Sequence, residues 1–231
     1  MFHLLCLWYA IHHLLIISNR SLINIYFILA AIEGSYCKKY GKRLDPLSPQ
    51  LFLDCSKEFG NLGCQGGLMS SCFDYVMEEN ILVTLKGLPY QNGESDKTSC
   101  LNISQVLQQY LVPVQIVSYV FVSPSETGLA HGINTAGIVS CAVHVTANFM
   151  AYKGGVFQDT TCSETPNHAI NIVGYGCTFF YKPLRRCFGQ RYWILRNSWG
   201  PTWGENGYMR IIRGGTKTCG LYTICSYVTV S

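Results

Sequence analysis

The amino-acid sequence predicts an α+β fold, with helices concentrated in its first half and strands in its second. Three observations carry that expectation. Asn24 to Tyr40 is apolar nearly all round and is followed by Gly41, the pattern of a buried helix with a glycine placed to end it. Ser48-Pro49 and Gly66-Gly67 each precede a further helical run, the first leading to Cys55 and the second spanning Leu68 to Glu79. The later apolar runs, Gly137 to Val145, Asn167 to Gly176 and Tyr192 to Arg196, are short and bounded by glycine or polar residues, as strands are.

Composition narrows the class. A chain of 231 residues with 48% hydrophobic and 13% charged residues is globular and long enough for one large domain or two compact lobes. The net charge of +4 is scattered, and the basic pairs Lys38-Lys39 and Arg185-Arg186 read as solvated faces, so no nucleic-acid partner is expected. Twelve cysteines, spaced neither as a zinc ribbon nor as a redox C-x-x-C, point to an oxidising compartment and to no bound metal. The sequons at Asn102 and Asn19 agree with a secretory route, with Asn102 the expected glycosylation site.

Residues 1–29 are unlike the remainder. Met1 to Ile17 is apolar, but His3, His12 and His13 interrupt it and no Lys or Arg precedes it, which makes a poor signal peptide and a worse membrane span. No firm membrane association is expected. In the helix that follows, Glu33 is a carboxylate among apolar neighbours and needs a partner, which gives it a structural role. Cys37, Cys72, Cys141 and Cys225 sit in apolar surroundings and read as buried thiols. Cys177 and Cys187 flank a connection longer than its strands require and are placed to close it, although spacing alone does not decide connectivity.

Read alone, Tyr192 to Arg210, Y-W-I-L-R-N-S-W-G-P-T-W-G-E-N-G-Y-M-R, is a packed β-corner whose Asn197 caps a turn, and His168 is a core histidine. Together they say more. His168 opens the strand in N-H-A-I-N-I-V-G-Y-G, Asn197 ends the next one, and pairing of the two strands would set the side chains side by side. With D-C-S and G-C-Q-G-G-L-M in the run Ser48 to Met69, the chain from about Ala30 to its C-terminus resembles the papain-like cysteine peptidases, on their cathepsin L side.

That resemblance implies a two-lobed fold, a helical left lobe over 30–112 and a β-barrel-like right lobe over 113–231, with a cleft between them and residues 1–29 outside the match. His168 would be the imidazole partner of a thiolate, Asn197 would orient it, and Trp199 would shield their bond from water. Gly66 and Gly67 would offer a backbone edge to an extended peptide. Leu68, Met69, Ala142, Pro166 and Ile224 would line a pocket for a bulky apolar side chain. By family pattern Cys55 pairs with Cys100 and Cys162 with Cys219. The implied partner is a peptide or protein substrate or inhibitor bound by a monomer without a cofactor, in a secreted or lysosomal setting.

One part of the pattern is missing. The family motif Q-G-x-C-G-S-C-W, counted back from Glu33, falls with its nucleophile at Ile23, its oxyanion-hole glutamine at Ile17, its tryptophan at Asn24 and its second cysteine at Arg20. Cys64, the expected partner of that second cysteine, is left without it. Cys37 lies too far down the same helix, about 21 Å from position 23 at 1.5 Å per residue, to replace the nucleophile. Cys6 beside Trp8 has neither the flanks nor the spacing.

The family would also place an inhibitory propeptide ahead of the catalytic domain, for which the sequence leaves no room. The expected function is therefore a papain-family endopeptidase by resemblance, inactive as written. The other readings are a non-catalytic homologue that binds peptides or inhibitors, and a structural protein that reuses the fold. Residues 1–29 are expected to come from sequence foreign to the working protein.

Overall fold

The computed structural model describes residues 20–65, 67–91, 100, 107–181, 186–214 and 218–231, with side chains from Ile25 onward. Two compact units emerge: a helical one running up to Tyr119 and including the tail Val228–Ser231, and a strand unit, Val120–Tyr227.

In the helical unit, α1 (Arg20–Tyr40) is the central element. Ile25, Ile28, Leu29, Ala31 and Ile32 are all buried, because a helix apolar on every side is stable only when other elements surround it. Gly41 ends it at φ 65°, its N–H donating to Cys37 O at 2.9 Å. Glu33 accepts a hydrogen bond from Leu47 N–H at 3.0 Å and so ties α1 to the next segment, the structural role expected of it. Helix α2 (Pro49–Cys55) starts at Ser48, whose hydroxyl accepts from Leu51 N–H and donates to Leu88 O. Phe52, Leu53, Phe73 and Val76 close the core around α1, the last two from α3 (Met69–Glu79).

The main sheet has seven strands, β1 (Ile116–Phe121), β2 (Val139–Val143), β3 (Val156–Phe157), β4 (His168–Cys177), β7 (Arg191–Arg196), β8 (Tyr208–Ile212) and β9 (Cys225–Val230), in the order β1-β9-β2-β4-β7-β8-β3, and β2, β3, β4, β7 and β8 lie wholly in the strand unit. Strands β2 and β4, β2 and β9, β4 and β7, and β7 and β8 pair antiparallel, and β3 pairs with β8 in parallel. Strands β5 (Phe180–Tyr181) and β6 (Arg186–Cys187) form a separate ribbon. Helices α4 (Glu126–Ala136) and α5 (Ala147–Met150) add Leu129, Ile133 and Phe149 to a core centred on Trp193. Trp193 is buried, donates from Nε1 to Tyr222 OH at 2.8 Å, and shares the Arg213 guanidinium with Tyr175, each ring centroid 4.5 Å from it.

Disulfides join Cys55–Cys100, Cys162–Cys219, Cys177–Cys187 and Cys141–Cys225, and Cys37 is disulfide-bonded as well. The expectation of buried thiols at Cys37, Cys141 and Cys225 is therefore corrected. Cys141 and Cys225 are burial-compatible with a thiol, but they face each other across β2 and β9 with Cα atoms 4.1 Å apart, a strand register that local sequence does not display. Cys64 and Cys72 stay as thiols. Cys72 is buried, accepts from Asn61 Nδ2 at 3.1 Å, and burial pushes its pKa up to about 12, so it is unreactive at neutral pH. No helix among the described residues is long and apolar enough to cross a membrane.

Candidate active site

Strand β4 begins at His168 and β7 ends at Arg196, one residue before Asn197. Their antiparallel register pairs Asn171 with Arg196. It thus brings the start of one strand against the end of the other, and the ring Nε2 of His168 lies 2.9 Å from Asn197 Oδ1. Ser198 N–H donates to the same Oδ1 at 2.8 Å, which fixes which end of the amide is oxygen. His168 must then be the donor, with its proton on Nε2. Asn197 itself is buried and anchored through its backbone N–H to Gly207 O at 3.0 Å.

The Trp199 ring lies 5.0 Å from the His168 ring, tilted by 33°. It is held in turn by Trp203, edge-on at 5.2 Å, and by Phe149 at 6.0 Å. Trp203 Nε1 donates to Met150 O at 3.0 Å. The turn after Trp203 is fixed by Glu205, which accepts from Arg210 Nε at 2.9 Å and from Gly155 N–H at 3.0 Å.

Two positioning residues escaped the sequence reading. Asn167 accepts from Val145 N–H at 2.8 Å through Oδ1 and donates back to Val145 O at 3.4 Å, clamping the backbone one residue before His168. Asp159 accepts from Thr161 N–H at 2.8 Å, Thr161 Oγ1 at 2.7 Å, Thr146 Oγ1 at 2.7 Å and Asn148 Nδ2 at 3.1 Å. Thr146 is the N-cap of α5, so Asp159 orients the helix that carries Phe149 to Trp199. A short polar side chain before a histidine is the available signal for Asn167; Asp159 has none in a local window, because its donors Thr146 and Asn148 lie on another segment.

Both ionisable groups are shifted by their surroundings. Burial lowers the His168 pKa below the usual imidazole value, and the bond to Asn197, whose oxygen favours the cation, opposes that in part. Asn197→Ala should therefore lower the His168 pKa further, which an NMR titration would register as a later onset of protonation on acidification; an unchanged pKa would show that the amide is electrostatically idle. The Thr161 and Thr146 donors hold the Asp159 carboxyl well below the usual carboxylate range. Its stabilisation is present above about pH 3.9 and is lost as pH falls through the lower folded value. Asp159→Asn should cost about 1–2 kcal/mol at neutral pH, with a shallower loss of stability in acid than the parent in pH-dependent melting.

The remaining expected site residues divide between the units. Gly67, Leu68 and Met69 belong to the helical unit, where a Cβ on Gly67 would run into the Asn61 side chain that receives Leu68 N–H at 3.0 Å. Ala142, Pro166, Trp199 and Ile224 belong to the strand unit with His168 and Asn197. Leu68 and Ile224 are 67% and 47% exposed, so neither is a core residue. Ile23 lies in the first turn of α1. Gly66, Ile17 and Asn102 fall outside the described residues. No group of His, Cys, Asp or Glu among the described residues could hold a metal ion.

The site thus sets an imidazole that opens one strand against an amide that closes its neighbour, beside a tryptophan, on an α+β scaffold. Residues 28–229 match the papain family cysteine protease model, and the chain belongs to that family. It is 38% identical over 199 residues to a cathepsin L-like proteinase of Phaedon cochleariae, covering 86% of this chain and 56% of that protein. It is 37% identical over 206 residues to a pro-cathepsin H of Medicago truncatula, covering 87% and 53%. The chain thus spans about half the length of the curated relatives it matches.

Among solved structures, the bromelain protease of Ananas comosus in complex with the E64 inhibitor superposes with a TM-score of 0.76 at 28% identity, covering 93% of this chain and 91% of that one. A digestive procathepsin L 3 of Tenebrio molitor gives 0.74 at 32% identity, covering 93% and 67%. The fold is the papain-like α+β fold.

Proposed function

We propose that this chain carries the imidazole half of a papain-type endopeptidase site and lacks its nucleophilic half, so that as written it binds peptides without cleaving them. The observation that carries this reading is the pair His168 Nε2 and Asn197 Oδ1 at 2.9 Å beneath Trp199, set against an isoleucine at position 23, where the family motif has its cysteine. Asn197 supports it in a second way: it is buried, and its Oδ1 also receives Ser198 N–H at 2.8 Å, which holds the amide oxygen toward the imidazole.

With a thiolate beside it, such an imidazole would hold the ion pair and later protonate the leaving amine. Without one, no acyl-enzyme can form. The ligand is a peptide with a bulky apolar side chain, taken up on the strand unit beside Ala142, Pro166 and Ile224. The bridged cysteines support export to an oxidising, secreted or lysosomal, setting, and the chain acts there as a monomer. The test is a binding isotherm for a labelled peptide carrying such an apolar residue, run beside mass spectrometry of the same mixture. Binding with the peptide intact supports the proposal; cleavage refutes the inactivity, and absence of binding to the folded chain refutes the ligand.

A further inference from the structure

Cys177 to Arg191, which joins β4 to β7, is not used by the chemistry of His168. This run holds Lys182, Arg185, Arg186 and Arg191 and no Asp or Glu. It also holds Phe179, Phe180, Tyr181 and Phe188, which are 61%, 52%, 46% and 59% exposed. Single exposed apolar side chains are ordinary, but four aromatic rings within ten positions are not.

The segment is built to hold them. Phe180 pairs with Cys187 and Tyr181 with Arg186 in the β5–β6 ribbon, outside the seven-stranded sheet. The Cys177–Cys187 disulfide closes its base. Phe188 N–H donates to Phe179 O at 3.0 Å, and Thr178 N–H to Gln190 O at 3.0 Å.

We propose that this ribbon docks the chain reversibly on an anionic lipid surface, with the aromatic rings in the boundary between headgroups and acyl chains and Arg186 on lipid phosphates. Side chains alternate along a strand, so Phe180 and Tyr181 lie on opposite faces of the ribbon, and both are exposed. One flat protein partner would cover one face; a surrounding medium covers both. A second copy of the ribbon would bring cations against cations, since the run contains no acidic residue. Arg191 is already ion-paired with Glu126 at 3.2 Å and is not counted. A bare polyanion would use the arginine and leave the rings in water. Aromatic rings with cations at one surface are the combination that interfacial docking uses.

The full chain should cosediment with large vesicles of phosphatidylcholine containing about one part in three phosphatidylserine, and much less with phosphatidylcholine alone. The triple variant Phe179→Ser, Phe180→Ser, Phe188→Ser should lose at least about tenfold in partition. Arg186→Ser should lose about fivefold, an effect that shrinks at high salt. The single variant Phe188→Ser, outside the β5–β6 pairing, keeps the comparison open if the triple variant does not fold. The proposal is overturned if the parent binds neither vesicle, if it binds both equally, if the folded variants bind like the parent, if heparin is bound and vesicles are not, or if the substitutions convert a dimer to a monomer in gel filtration.

Discussion

Incubated with a thiol-directed epoxide, the full chain should gain no mass at neutral or mildly acidic pH, and it should release no fluorophore from a peptide amide over hours. In a comparable serine-based site, loss of the nucleophile alone costs about 10⁶ in turnover, leaving about 10³ to 10⁴ over water from binding and the oxyanion hole. On the register proposed from the family motif the oxyanion-hole glutamine falls at Ile17, and a preorganised donor worth a further factor of about 10² to 10³ would be missing as well. His168→Ala sharpens the test. In a complete site that substitution is as damaging as loss of the nucleophile; in this chain the proposed reading gives the imidazole no thiol to activate, and the measured rate should stay unchanged. A His168-dependent rate, or labelling at any cysteine that abolishes a rate, would sink the reading. Restoring a thiol alone through Ile23→Cys should not recover family-level turnover, since the oxyanion donor would still be missing.

How much of this was legible follows from the range of each signal. Helix α1 was readable because its apolarity, its length and Gly41 are local, and α2 because Ser48-Pro49 is a start signal within three residues. The His168–Asn197 pair was readable only as a pattern of two strands, each carrying its polar residue at one end. Helix α4 was not read. Its sequence carries Gly128 and Gly132, which lower helix propensity, and the structure shows why they are there: a Cβ on Gly128 would strike Ser123 O, and one on Gly132 would press on Tyr227 and Val139. Those are tertiary demands, invisible in a local window. The same holds for Asp159, whose donors are assembled from Thr146, Asn148 and Thr161.

Replacing both Cys141 and Cys225 by alanine should lower the stability of the chain more than replacing Cys177 and Cys187. The first pair spans 84 residues, which the Cys162–Cys219 bridge nested inside it shortens to a loop of about 27, and the second spans 10. Constraint of the unfolded chain grows with the logarithm of loop length, which gives about 3.5 kcal/mol for the longer loop and about 2.7 kcal/mol for the shorter one. In urea the first variant should unfold at a clearly lower midpoint with its slope increased, since the unlinked chain exposes more surface.

The location of the bridge adds a second consequence. Cys141 lies on β2, whose register sets Val143 opposite His168, and Cys225 follows Ile224, whose carbonyl receives Ala142 N–H at 2.9 Å. Loss of the bridge should therefore loosen β2 between β9 and β4 and raise amide exchange at Ala142 and Val143 before it affects Trp193. Equal midpoints for the two double variants would mean that native packing around Cys141, and not the tether, carries the stabilisation. Exchange that rises at Trp193 as early as at Ala142 would mean that the strand unit opens as one body, with no separate freedom in β2, the strand paired with His168.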